Sequence, residues 1–256
     1  MKKRHLAAAL LGSALLAAGT TAQAAHPLIT DDAGTMGTGH YQVEFNAQYD
    51  HTDEEGVREK NQELAVAVTY GLTDTVDLVV ALPYTAWSIK DDVEGKTSES
   101  GIGDASLEVK WRFYEQDGLG LALKPGMTLP TGDDDEGLGA GKATYQLFFI
   151  GTRELAPWAF HLNLGYLRSN NTAAERENLW HASLAGEVEV TEDLRLVANI
   201  GAERNPDRES GTHPAFLLGG LVYSLTESCD VDFGVKVGLN HAEPDYSLLA
   251  GVVFVF

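Results

Sequence analysis

The chain ends on Gly251-Val252-Val253-Phe254-Val255-Phe256, a bare apolar strand with a terminal aromatic. Counting back from the end, Phe256, Phe254, Val252, Ala250, Leu248 and Tyr246 share one face. A soluble β-sandwich can hide such a strand in its core. A membrane-spanning barrel requires one, because its last strand must close on its first and leave no unpaired edge in lipid. The stretch predicts a transmembrane β-barrel, with a terminal sandwich strand as the competing interpretation.

The opposite end of the chain favours the barrel. Lys2, Lys3 and Arg4 precede the apolar run 6–18, and Ala22-Gln23-Ala24 has the small-x-small pattern of a cleavage site. The expected organisation is a signal peptide at 1–24, a periplasmic N-terminal arm at 25–38 and an outer-membrane β-barrel at 39–256. No later stretch comes near the roughly 20 apolar residues of a helical span. An exported chain without such a helix crosses lipid only as a closed barrel.

Composition fits this organisation. The formal charge of −20 argues against a nucleic-acid partner, which needs clustered Lys and Arg. Cys229 is the single cysteine, so no internal disulfide can form. Mean hydropathy of −0.14 is too low for a helical membrane protein but suits a barrel, where half of each strand faces a polar interior.

Period-2 alternation recurs from Gly39 onward. Tyr41, Val43, Phe45, Ala47 and Tyr49 oppose Gln42, Glu44, Asn46, Gln48 and Asp50; Leu107, Val109, Trp111 and Phe113 oppose Ser106, Glu108, Lys110 and Arg112. The runs are about ten residues long, as a tilted membrane strand requires. Polar loops are expected at about 51–60, 91–100, 131–141, 170–177, 205–212 and 241–244, and tight turns near 71–75, 115–118, 153–156, 191–193 and 226–229. That pattern gives about 12 antiparallel strands in an all-β barrel with short periplasmic turns and longer extracellular loops. Aromatics should form two girdles at the lipid–water interfaces. One set is Tyr41, Tyr70, Trp111, Phe113, Phe149, Trp158, Tyr223 and Phe256. The other is Tyr49, Tyr84, Trp87, Tyr145, Tyr166, Trp180 and Tyr246.

Three motifs carry a family resemblance: 26–35 (HPLITDDAGT), Gly101-Ile102-Gly103-Asp104 leading to Lys110-Trp111-Arg112-Phe113, and Leu123-Lys124-Pro125-Gly126 leading to Thr128-Leu129-Pro130-Thr131-Gly132-Asp133. Together they resemble a family of Gram-negative outer-membrane transporters of the meta-pathway of phenol degradation. His26 stands where Arg is expected in that pattern. The resemblance implies an outer-membrane channel for small aromatic or hydrophobic solutes and carries no catalytic residues. The terminal Phe256 resembles the signal read by the outer-membrane assembly machinery, and the surrounding partners would be the lipid bilayer and lipopolysaccharide.

Alternation also points charges inward: Glu44, Asp77, Glu108, Lys110, Arg112, Lys124, Glu187, Glu189, Arg195, Asp232 and Lys236. A polar constriction that selects solutes by charge and hydrogen bonding would use such residues. Glu44, Glu108, Lys110, Arg112, Lys124, Arg195 and Lys236 are its candidates. The competing interpretation is a filled interior of paired charges. Asp31 and Asp32 are candidates for an arm that folds into the lumen as a plug, meeting Arg112 or Arg195, or else belong to a solvated cap. Asp133-Asp134-Asp135-Glu136 lacks the spacing of an EF-hand loop and reads as a solvated outer loop, so no metal and no cofactor are expected. His181 and Ser183 form a His-x-Ser pair, as in outer-membrane phospholipases, but face inward, away from lipid, and no Gly-x-Ser-x-Gly elbow occurs. The expected function is passive solute passage, not catalysis. The alternatives are a closed structural or adhesive barrel and, further from the residues, a lipid-modifying enzyme.

Overall fold

The computed structural model describes residues 26–54, 56–93 and 95–256; the predicted signal peptide and Ala25 fall outside them. The strands are β1 (Tyr41–Glu54), β2 (Val57–Thr73), β3 (Val76–Asp91), β4 (Gly95–Ile102), β5 (Ala105–Gln116), β6 (Leu119–Leu129) and β7 (Thr144–Leu155), followed by β8 (Trp158–Arg168), β9 (Asn178–Glu189), β10 (Leu194–Glu203), β11 (Ala215–Thr226), β12 (Cys229–Gly238) and β13 (Tyr246–Val255). Each pairs antiparallel with its sequence neighbour, with one exception: β4 and β5 both pair with β3. They are the outer and inner halves of one stave, interrupted at Gly103-Asp104. The 13 strands therefore make a 12-stave barrel.

The ring closes between β1 and β13, as the C-terminal stretch predicts. Gln42 is opposite Val255 and His51 opposite Tyr246. Tyr41 and Phe256 exchange backbone hydrogen bonds (3.1 and 2.9 Å), and their rings stack with centroids 4.8 Å apart. No sheet edge is left facing lipid, which is what the bilayer demands of strands.

Burial is inverted relative to a soluble domain. Leu64, Leu82, Trp158, Leu184 and Phe233 are exposed on the outer face, while Gln42, Glu44, Asp77, Glu108, Lys110 and Lys124 are buried inside. The expected girdle aromatics lie outward, except Trp87. Trp87 pairs with the inward-facing Asn61, and its indole N–H donates to the Glu136 carbonyl (3.0 Å). It belongs to the inner wall at the loop end and secures an outer loop there.

The stretches expected as loops at 51–60 and 91–100 are mostly strand. The β1–β2 and β3–β4 ladders run on to Glu54–Val57 and Asp91–Gly95. Polar residues end the membrane-embedded part of a strand but not its ladder, which continues into water. The loop between β6 and β7 is folded. Asp104, placed by the break in its stave, accepts the N–H groups of Gly132 (2.9 Å) and Ala140 (2.8 Å). Thr131 bridges the Gly103 carbonyl and the Ala105 N–H at 2.8 Å each. The Gly103-Asp104 and Thr131-Gly132 motifs thus meet in one anchor.

Candidate functional site

Residues 26–38 run along the inside of the barrel, entering beside the short turn between β2 and β3. Short turns mark the periplasmic end of such barrels. Gly39 N–H bonds the Gly71 carbonyl (2.9 Å), and the Thr38 N–H and hydroxyl both donate to one Asp74 oxygen (3.2 and 2.5 Å). Those two bonds hold the Asp74 carboxyl below the usual carboxylate range. Gly37 passes so close to the wall that a Cβ on Gly71 would sit 1.8 Å from its carbonyl oxygen, so only glycine fits there.

From there the arm crosses the lumen. The Met36 N–H reaches the Asp77 carboxylate (3.0 and 3.2 Å) and the Ala33 N–H the Thr152 hydroxyl (2.8 Å). Asn199 accepts from the N–H groups of Ile29 (2.8 Å) and Thr30 (3.1 Å) and donates to the Thr30 hydroxyl (2.7 Å). Thr30 in turn donates to Ser183 (2.7 Å). Asn163, with its amide turned so that donors face acceptors, spans the Asp31 main chain: it donates to the carbonyl (2.9 Å) and accepts from the N–H (2.7 Å). Apolar anchors flank these bonds. Ala33 packs with Ala122, Phe148 and Ile150, while Leu28 packs with Val197, Phe216 and Leu218.

The carboxylate of Asp31 is the electrostatic centre. It lies 3.0 Å from Lys110 Nζ and 2.8 Å from Lys124 Nζ, and Asp32 is 3.9 Å from Lys110. Lys124 also faces Glu108 at 3.5 Å, and Glu108 accepts from Gln146. Relative exposures of the Lys110, Lys124 and Asp31 side chains are 0%, 2% and 2%, so these charges are withdrawn from bulk water. Buried charges persist only when paired.

The other candidates do not join this cluster. Arg112 sits at the short-turn rim, bonded to the Asp74 carbonyl (3.0 Å) and 3.1 Å from Glu115. Arg195 bridges Glu187 and Asp230 at 3.2 Å each. Lys236 lies toward the loop end, 2.5 Å from Glu243 of the last outer loop and 5.7 Å from the Phe216 ring centre. Glu44 bonds Gln42 and Asn46 (3.4 Å) on its own strand. Asp232 meets His26 at 2.5 Å. Asp31 therefore engages the two lysines and neither Arg112 nor Arg195: alternation gives a side chain's direction but not its height. Asn163, Asn199, Thr152 and Phe148 were not singled out by the sequence. Their one signal was an inward position in the alternation of their strands.

His181 Nε2 lies 2.9 Å from Ser183 Oγ, and His181 Nδ1 3.4 Å from Glu203. The order is that of an acyl-transfer triad, but the serine oxygen already receives the Thr30 hydroxyl. Here these groups extend a hydrogen-bond chain from Asn199 through the arm to Glu203. Among the described residues no group of His, Cys, Asp and Glu is arranged to hold a metal ion.

Known structures share the fold. The chain resembles the COG4313 outer membrane channel from Pseudomonas putida F1 (TM-score 0.72, 19% identity, covering 88% of this chain and 98% of that one). It also resembles the KdgM porin (TM-score 0.55, 5% identity, 84% and 99%) and the translocator domain of the autotransporter NalP from Neisseria meningitidis (TM-score 0.53, 12% identity, 85% and 88%). No curated protein matches by sequence. The family model described as "Putative MetA-pathway of phenol degradation" matches residues 30–256, and the chain belongs to that family of outer-membrane β-barrels.

Proposed function

We propose that this protein is a gated outer-membrane channel for small aromatic or hydrophobic solutes, with the N-terminal arm as its gate. The observation that carries the proposal is the arm itself. It crosses the lumen without joining the sheet and ties its one deeply buried carboxylate to wall lysines. Glu108, Lys110 and Lys124 then form the charged part of the path at the arm. Arg112 and Arg195 line the periplasmic exit, Glu44 and Lys236 other parts of the wall. The solute class comes from the family's description and the channel role from the fold's company among channels and porins. Export by cleavage after residue 24, and delivery to the assembly machinery through Phe256, complete the reading.

A filled interior also suits a closed structural barrel. The two part company in a planar bilayer. The protein is refolded with its arm and, separately, without residues 26–36. The channel reading expects small or intermittent current with the arm and steady, larger conductance without it. Without the arm, Lys110→Ala should alter ion selectivity. A folded, arm-deleted barrel that passes neither ions nor aromatic solutes would reject the channel.

A further inference from the structure

We propose that the place occupied by Thr30 and Asp31 is a binding site for small carboxylates, and that such a ligand opens the barrel by replacing Asp31 between Lys110 and Lys124. The proposal rests on the gated-channel reading and adds a ligand class and a trigger to it.

The wall treats the arm as a ligand. Among the described hydrogen bonds, residues 26–36 make none from backbone to backbone. Their main chain is held by the side chains of Asn199, Asn163, Thr152 and Asp77. Bonds of this kind can be exchanged one for one with another molecule, whereas a sheet ladder cannot. What the wall reads is specific: a carboxylate between two ammonium groups, an adjacent peptide amide on Asn163, and a hydroxyl on Asn199 and Ser183.

Charge makes arm release conditional. Withdrawal of Asp31 removes the carboxylate that lies 3.0 Å from Lys110 and 2.8 Å from Lys124 and is shared by both, and leaves the lysines to the wall carboxylates Asp77, opposite Lys110 in the β3–β5 register, and Glu108, 3.5 Å from Lys124. Taking a close carboxylate away from two buried ammonium groups is costly. An incoming carboxylate restores that shared contact, which a neutral solute cannot. The Phe148 ring lies 6.0 Å from Lys124 Nζ and 5.7 Å from the His181 ring, so an apolar or aromatic body has a surface beside the charged site. Linkage then requires that the ligand's affinity fall in proportion to how firmly the arm holds the site.

The test uses the mature protein in detergent, with hydrogen exchange of segment 26–36 as the readout and benzoate and benzyl alcohol as probes. Benzoate should accelerate exchange of the arm saturably, and benzyl alcohol should not. Asp31→Asn should speed exchange without ligand and tighten benzoate binding about tenfold or more, because the internal competitor is weakened. Lys124→Met should abolish the benzoate response; should that variant fail to fold, Asp31→Asn carries the test. Equal responses to both probes would overturn carboxylate recognition. So would an unresponsive arm whose benzoate affinity is unchanged by Asp31→Asn. Neither readout involves current, so failure here is separate from failure of the conductance experiment.

Discussion

Asn199 shows how much a single neutral residue can carry. It is one polar side chain between Ala198 and Ile200, and its inward direction was legible from alternation alone. Its role was not, because its partners Ile29 and Thr30 lie about 170 residues away in sequence. The same limit applies to the charges. Asp31 and Asp32 stood out as a possible plug, and Lys110 and Lys124 as lumen cations, yet their pairing depends on a path through space that no strand period encodes. Asn199→Ala removes the acceptor for two arm N–H groups and the donor to Thr30. Leaving such groups unpaired when buried costs about 1–3 kcal/mol. Hydrogen exchange of the arm should therefore rise by one to two orders of magnitude, roughly as that energy dictates, while exchange in the β-strands stays unchanged. Arm protection equal to wild type would show that the ion pairs alone hold it.

At the scale of elements, the tight turns were more legible than the loops. Asp117-Gly118 and Glu227-Ser228 fall at the ends of ladders where a two-residue reversal is required, and the sequence marks them by composition. The outer loops depend on one another instead. Arg176, between β8 and β9, donates to the carbonyls of Asn205 (2.9 Å), Asp207, Arg208 (2.9 Å) and Ser210 (3.2 Å), all between β10 and β11. Arg208 returns a bond to the Glu175 carbonyl (2.8 Å). Inside this clasp burial, aided by the nearby Asp207, pushes the Glu175 carboxyl up to about 7. Its folded value lies above its unfolded one, so protonation favours the closed clasp. The associated stability is fully present below about pH 4.5 and is lost as pH rises through about 7. Limited proteolysis of loop 169–177 should therefore be slower at pH 5 than at pH 8. Glu175→Gln should flatten that dependence. A variant that keeps the full pH profile would place the titration elsewhere in the loops.

For the whole molecule, the decisive question is whether the arm is part of the barrel's frame or a guest within it. The frame closes without it: β1 bonds β13 on one side and β2 on the other, and every stave has two neighbours. The arm adds burial of Leu28 and Ala33 and the pairing of two lysines. Without the arm, water can enter and solvate those lysines in part, and the share of the ionic contribution it does not recover is what an incoming carboxylate would restore. Deleting 26–36 should then leave a barrel that still migrates as a compact, heat-modifiable band. Its unfolding midpoint should drop by about 5–10 °C, the scale expected when a few kcal/mol are lost from a chain of this size. A guest that can leave at such a cost is compatible with gating by a ligand that restores part of it. Failure of the deleted barrel to fold, or a far larger fall in its midpoint, would make the arm a structural core and favour the closed barrel. The sequence could establish the frame because lipid imposes a strict period on every stave. It could not rank guest against core, because that depends on the difference between two solvation states of the same lumen.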